Sequence, residues 1–342
     1  MIFENALGYL PEILAGSSYY EKNYEASIVN AFSLAVLQAL NARNVPNPLS
    51  VIDAERFYGD TEDNPRHLRA DLFVNISSMS VGSQELARFG WRYQNWLEAK
   101  FFRKIDGKAT INSTSAKIGL AADIVRLCTL ATPFVSYSPK ESKRYFPDKR
   151  GQNSPDGKYQ NLCTGRYLLH VYDRDPHNLL GDCTDKWKWL NNLYSYSPEI
   201  FTIKFVDKGK TKLLKRTFPE PIFNIEIQNI KIKNFIFEQC PKDGIEERLK
   251  CVLSKIISFK VVWGEYSWEE KEDRTAVANP LDSWLKIKDA VAKNIDFNSS
   301  TTKQNDDYPP TSDEQEKIRD ESDSSSGELE NEAYVNHSSA HY

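Results

Sequence analysis

The octapeptide NWLEAKFF, residues 95 to 102, sets Glu98 and Lys100 two positions apart in a run otherwise built from Asn, Trp, Leu, Ala and Phe. In a strand, side chains alternate between faces, so Trp96, Glu98, Lys100 and Phe102 share one side and Leu97, Ala99 and Phe101 the other. The two charges then point the same way, roughly 7 Å apart along the strand. Charges are seldom buried unless they are paired or hold a metal, so this placement calls for either a solvated sheet edge or a site. The triplet alone is weak evidence. The same [DE]-x-K pattern recurs as DGK at Asp106 and Asp156, ESK at Glu141 and EEK at Glu269. The DGK copies are turn chemistry, and the other two lie in polar surroundings where solvated charges account for them. Glu98-Ala99-Lys100 is the copy flanked by apolar residues on both sides.

Two further acids interrupt apolar patterns upstream. Asp71 breaks the apolar run of LRADLFVN (68 to 75), a predicted short strand. Glu25 heads the stripe Val29, Phe32 and Val36 of a predicted amphipathic helix spanning 19 to 43, with Glu21 one turn earlier and NVPNP as its stop. Between them SVIDAERFYG (50 to 59) reads as a strand whose Asp53 and Glu55 are read as solvated. SQELARFGWRY is a predicted helix, SAKIGLAADIVRLCTLAT (115 to 132) another, and GRYLLHVYD (165 to 173) a strand in which His170 reads as a packed histidine. The order helix, strand, strand, strand, helix, strand predicts a mixed α/β layer. Each acid also has an ordinary reading. Glu98 and Lys100 could form an exposed ladder, Asp71 could pair with Arg66 or Arg69, and Glu25 could favour a helix N-terminus.

Taken together, a helix carrying Glu, a strand carrying Asp and a strand ending in E-x-K resemble the PD-(D/E)XK nuclease superfamily, the restriction-endonuclease-like fold, over roughly residues 19 to 173. The resemblance implies a mixed central sheet flanked by helices. It makes Asp71 the first acid, although ADLF stands where many members show Pro-Asp, Glu98 the second acid and Lys100 the catalytic lysine. Glu25 is a looser match to the helix glutamate. The implied activity is divalent-metal-dependent phosphodiester hydrolysis of DNA, of restriction or defence type. Mg²⁺, with Mn²⁺ able to substitute, would be held by Asp71, Glu98 and the Ala99 carbonyl. A hard cation held by carboxylate oxygens supplies both a nucleophilic water and charge neutralisation at the phosphate. Lys100 would orient water or stabilise developing charge, and Glu25 would reach a metal-bound water. A non-catalytic nucleic-acid or protein binding module on the same scaffold, or an RNase, is the alternative.

Beyond residue 185 the pattern changes. FTIKFVDKGKTKLLKRTF predicts a hairpin around a Lys-Gly turn, FNIEIQNIKIKNFIF one or two strands, IEERLKCVLSKII a helix and SFKVVWG a strand. We therefore expect a nuclease-like core over 1–184 and a C-terminal α+β region over 185–297, serving recognition or homodimerisation and either separate from the core or continuous with it. A disordered tail is expected over 298–342. That tail holds eleven acids and three bases, a balance of −8; with −4 for the whole chain, residues 1–297 stand at +4. The mildly basic body fits a polyanionic partner. The loop from 138 to 160 adds Lys140, Lys143, Arg144, Lys149, Arg150 and Lys158, interleaved with Tyr145, Phe146 and Tyr159, as candidate phosphate contacts. DKWKWLNNLYSY offers base-stacking aromatics that are more simply core. Five scattered cysteines, never in C-x-x-C, argue against a zinc site or disulfide framework. No apolar run suits a membrane span, and no signal-like start is present, which predicts a cytoplasmic protein.

Overall fold

The architecture is mixed α/β: an eight-stranded, mostly antiparallel sheet with helices on both faces. The computed structural model describes residues 2–16, 25–58, 68–76, 94–102, 113–131, 135–136, 161–162, 164–173, 175–180, 185–207, 210–211, 216–217, 223–239, 249–271 and 281–294. The sheet comprises β1 (Ile52–Phe57), β2 (Arg69–Asn75), β3 (Gln94–Phe102), β6 (Thr164–Tyr172), β7 (Phe201–Asp207), β10 (Phe223–Gln239), β11 (Leu249–Trp263) and β12 (Tyr266–Glu270). Its order is β1-β2-β3-β6-β11-β10-β7, with β12 also on β11. Every neighbouring pair is antiparallel except β3 and β6, which run parallel with Lys100 beside His170. Two small ladders, β4 (Val135–Ser136) with β5 (Asn161–Leu162) and β8 (Lys210–Thr211) with β9 (Arg216–Thr217), lie outside it.

Each face of the sheet has its own core. On one side α1 (Ile2–Leu7), α2 (Leu10–Gly16) and α3 (Glu25–Asn41) cover Leu72, Val74, Leu97, Ala99 and Leu169. On the other, α4 (Ser113–Thr129), α6 (Leu281–Asn294) and a 3-10 helix at Asp185–Leu193 cover Phe73, Trp96, Phe102, Leu168 and Val252. A short helix, α5 (Pro176–Leu180), follows β6. The alternation expected of NWLEAKFF is observed: Trp96 and Phe102 enter the second core, Leu97 and Ala99 the first. With both faces covered, all nine residues of β6 are buried.

α3 is the helix that brings Glu25 to the sheet, and its end is set by sequence. Asn44 adopts a left-handed conformation at φ 55°, which asparagine tolerates better than most residues. The N–H of Asn44 then donates to the Asn41 carbonyl at 2.9 Å and that of Val45 to the Leu40 carbonyl at 3.1 Å. These two bonds satisfy helix-end carbonyls in the Schellman pattern, while Val45 itself is buried.

Several expectations are corrected. IEERLKCVLSKII supplies no helix over its described residues: β11 runs as one strand from Leu249 through SFKVVW to Trp263. Leu249, Val252, Leu253 and Ile256 match helical spacing, but the segment is a central strand whose two faces are both buried. Such a strand is apolar on successive positions and loses its period of two. Among the described residues β7 pairs with β10 rather than with the segment that follows it, and β8 pairs with β9. β10 is one strand with irregular register near Asn229, whose φ is 53°. Of the two arrangements left open for 185–297, β7, β10, β11 and β12 take the continuous one, joining the same sheet as β1, β2, β3 and β6 through the pairing of β11 with β6. α6 and the N-terminal helices were not anticipated. The predicted helix at SQELARFGWRY, the basic loop 138–160 and the tail 298–342 lie outside the described residues. No helix among the described residues is long and apolar enough to cross a membrane.

Candidate active site

Four of the residues singled out from the sequence converge where β2 and β3 part. Their ladder is paired from Leu72–Leu97 to Asn75–Gln94, and Asp71 lies one residue beyond it. There its Oδ2 accepts the backbone N–H of Ala99 at 2.6 Å, a side chain taking the place of a ladder carbonyl. Asp71 does not pair with Arg69, whose partner is the exposed Glu55 at 2.8 Å. Asp53 likewise pairs with Arg56 at the surface, as solvated β1 acids should.

Glu98 leaves β3 toward α4, and its side chain is 1% exposed. Its Oε1 accepts the Tyr58 hydroxyl at 2.5 Å and lies 3.2 Å from Arg126 Nε; its Oε2 accepts Arg126 Nη2 at 3.3 Å. Tyr58 is itself fixed by stacking on Trp96, with ring centres 5.1 Å apart. Arg126 also binds Asp123, one helical turn earlier on α4. Lys100 has different partners from those its face suggested. Its Nζ lies 2.9 Å from Glu25 Oε1, at the start of α3, and 3.6 Å from Asp123 Oδ2. Gly119 lies beside the lysine stem: a Cβ added there would make an ordinary contact with Lys100 Cε at 3.9 Å.

Burial and charge oppose one another through this cluster. Burial pushes the Asp71 carboxyl upward, against the attraction of Lys100 and the Ala99 N–H. Glu98 is pushed well up by burial, with Arg126 the largest opposing influence. Glu25 is also displaced upward by burial of its carboxyl end, an effect moderated by solvent reaching 41% of its side chain. For Lys100 burial favours the neutral amine, but Asp123, Glu25 and Asp71 outweigh it and hold the ammonium charged. Glu98 and Asp123 do the same for Arg126. The Tyr58 phenol is pushed well up by burial and then by Glu98, so it remains a donor. His170, 0% exposed and edge-on to Tyr172, is pulled by burial to about 4 and is a neutral packed imidazole.

Counting the described residues, Glu25, Asp71, Glu98 and Asp123 face Lys100 and Arg126: four carboxylates against two cations. Among the described residues no three His, Cys, Asp or Glu side chains form a ready metal cage. The donors present are hard oxygens, as Mg²⁺ prefers.

Sequence reasoning missed Asp123, Arg126 and the role of Tyr58. A signal for the first two was present in AADIVRL, where an acid and a base three apart interrupt an apolar helix. The candidate phosphate contacts Lys140, Lys143, Arg144, Lys149, Arg150 and Lys158 lie outside the described residues. Trp187 and Trp189 of the aromatic segment pack against the core, Trp189 stacking on Phe201 at 5.6 Å. Comparisons with family models, with curated proteins and with solved structures returned no match.

Proposed function

We propose that the protein is a divalent-metal-dependent endonuclease acting on DNA, built on a restriction-endonuclease-like scaffold. The observation that carries this reading is the crowding of four acidic side chains, Glu25, Asp71, Glu98 and Asp123, around Lys100 and Arg126 among the described residues. Burial pushes Glu25, Asp71 and Glu98 toward the protonated form, and a bound hard cation would hold them ionised. A Mg²⁺ ion held by Asp71, Glu98 and the Ala99 carbonyl would supply Lewis-acid polarisation of a phosphate and a nucleophilic water. Asp71 is aligned for this by the Ala99 N–H, and Glu98 by Arg126 and Tyr58. Lys100, held protonated, acts as a donor to a phosphate oxygen or to the attacking water and not as the general base. Glu25 stands at the open end, its carboxylate on Lys100, where it can accept a proton from water.

The test is digestion of mixed DNA and RNA substrates with Mg²⁺ or Mn²⁺. Asp71→Asn, Glu98→Gln and Lys100→Met should each abolish DNA cleavage while the far-ultraviolet circular dichroism stays unchanged. Full activity in all three variants would sink the assignment, and cleavage of RNA alone would redirect it to an RNase.

One observation favours a second reading, a non-catalytic nucleic-acid binding module. Both Glu98 oxygens already receive protein donors, from Tyr58 and Arg126. That reading predicts salt-sensitive DNA binding with no cleavage under any divalent ion.

A further inference from the structure

α4 brings Asp123 and Arg126 to the acidic cluster, and its C-terminal end is held by a residue outside that cluster. Arg166 of β6 is 1% exposed. Its Nε donates to the Leu127 carbonyl at 2.7 Å and its Nη2 to the Ala131 carbonyl at 3.0 Å. Leu127 follows Arg126 in the last turn of α4, and Ala131 lies just past it. The Ala131 N–H, which would bond to Leu127 in a continued helix, donates to the Arg126 carbonyl at 3.4 Å instead. The Leu127 carbonyl is thereby left to Arg166, as helix-end carbonyls are to nearby basic side chains.

Arg166 is fixed in turn by the C-terminal hairpin. Its Nη1 donates to Glu270 Oε2 at 2.5 Å, at the end of β12, and Glu270 Oε1 accepts the Trp268 indole N–H at 3.2 Å. The guanidinium also lies 5.2 Å from the centre of the Phe259 ring on β11. A buried ion pair adds little net stability, because desolvation consumes most of its attraction. A planar guanidinium with donors in fixed directions is well suited to setting an orientation. The orientation set here is that of the turn from which Arg126 reaches Glu98 through Nε at 3.2 Å and Nη2 at 3.3 Å.

Resting on the reading of the acidic cluster as the active site, we propose that Arg166, locked by Glu270, is a positioning residue for that site. It fixes the C-terminal turn of α4 so that Arg126 and Asp123 meet Glu98 and Lys100, and it ties the β11–β12 hairpin to the chemistry.

The experiment replaces the pair in the full chain by apolar residues of similar volume, Arg166→Met/Glu270→Leu. Such an exchange commonly preserves stability, yet here it removes the donors from Leu127 and Ala131. The first readout is the factor by which Arg126→Met lowers resistance to urea unfolding in a chelator. Independent sites contribute factors that multiply to within about twofold. In the double variant that factor should be smaller by about tenfold or more, since Arg126 there no longer meets Glu98. The second is DNA cleavage with Mg²⁺, where kcat should fall by about tenfold or more while KM holds. An unchanged Arg126→Met factor, or full kcat in the folded double variant, overturns the inference. If wild type cleaves no DNA, the endonuclease reading falls and the unfolding readout alone decides the role of Arg166. Should the double variant fail to fold, Arg166→Lys takes its place. It keeps the charge beside Glu270 but cannot serve Leu127, Ala131 and Glu270 together, and the same two readouts decide.

Discussion

Replacing Arg126 by Met, alone and together with Glu98→Gln, tests whether the floor of the site is held by charge. Arg126 meets Glu98 through Nε at 3.2 Å and Nη2 at 3.3 Å, with side-chain exposures of 16% and 1%. With an effective dielectric of about 20, a pair 3.2 Å apart attracts by roughly 5 kcal/mol. Desolvating the two ions consumes several kcal/mol of this, so the intact pair adds little net stability. Removing one partner is another matter, since the survivor stays buried and uncompensated. Arg126→Met should therefore destabilise the metal-free protein by about 3–5 kcal/mol. In the Glu98→Gln background only Asp123 is left without its cation, and the cost of Arg126→Met should fall by at least about 1.5 kcal/mol. Urea unfolding at neutral pH in a chelator, followed by tryptophan fluorescence and circular dichroism, gives the four free energies of the cycle. A coupling below about 0.5 kcal/mol, the size of an exposed pair, would refute the account of Glu98 as an acid held by Arg126.

Further outcomes follow from the same geometry. His170 has its pKa lowered from 6.5 to about 4 by burial, with Lys100 adding to the effect and Asp123 opposing it. A depressed folded value means its contribution is complete above 6.5 and is lost as pH falls toward 4. The loss should amount to about 3 kcal/mol across that range. Wild type should lose that much more stability than His170→Leu on acidification, and parallel stability curves would rule the account out. The raised carboxyls Glu98, Asp71 and Glu25 act in the opposite sense: their contribution is present below the ordinary carboxylate range and is lost as pH rises through their displaced values. Stabilisation by Mn²⁺, read as a shift in melting temperature, should thus grow from mildly acidic to neutral pH; a gain independent of pH would count against it. Gly119→Ala should raise stability by about 1 kcal/mol, since alanine favours the interior of a helix. The added methyl would make only an ordinary contact, 3.9 Å from Lys100 Cε, and a loss of stability would show that the lysine needs more room.

What could be read from sequence was the local part. The strand character of NWLEAKFF, the helix ending at NVPNP and the oddity of Glu25, Asp71, Glu98 and Lys100 all follow from periods of two and 3.6 residues and from a charge breaking an apolar run. Those regularities identified which residues needed partners. They did not identify the partners. Lys100 was expected beside Glu98, yet it reaches Glu25, 75 residues away in the chain, while Glu98 takes Tyr58 and Arg126 from elements 40 and 28 residues distant. β11 shows the same limit at the level of an element: its apolar residues fit a helix until β6, β10 and β12 pair with its edges and a core forms on each face. Composition and spacing fix how a segment divides its own faces. Which side chain meets which depends on strand register and on how each helix is turned against the sheet, and those are set by packing between segments far apart in sequence.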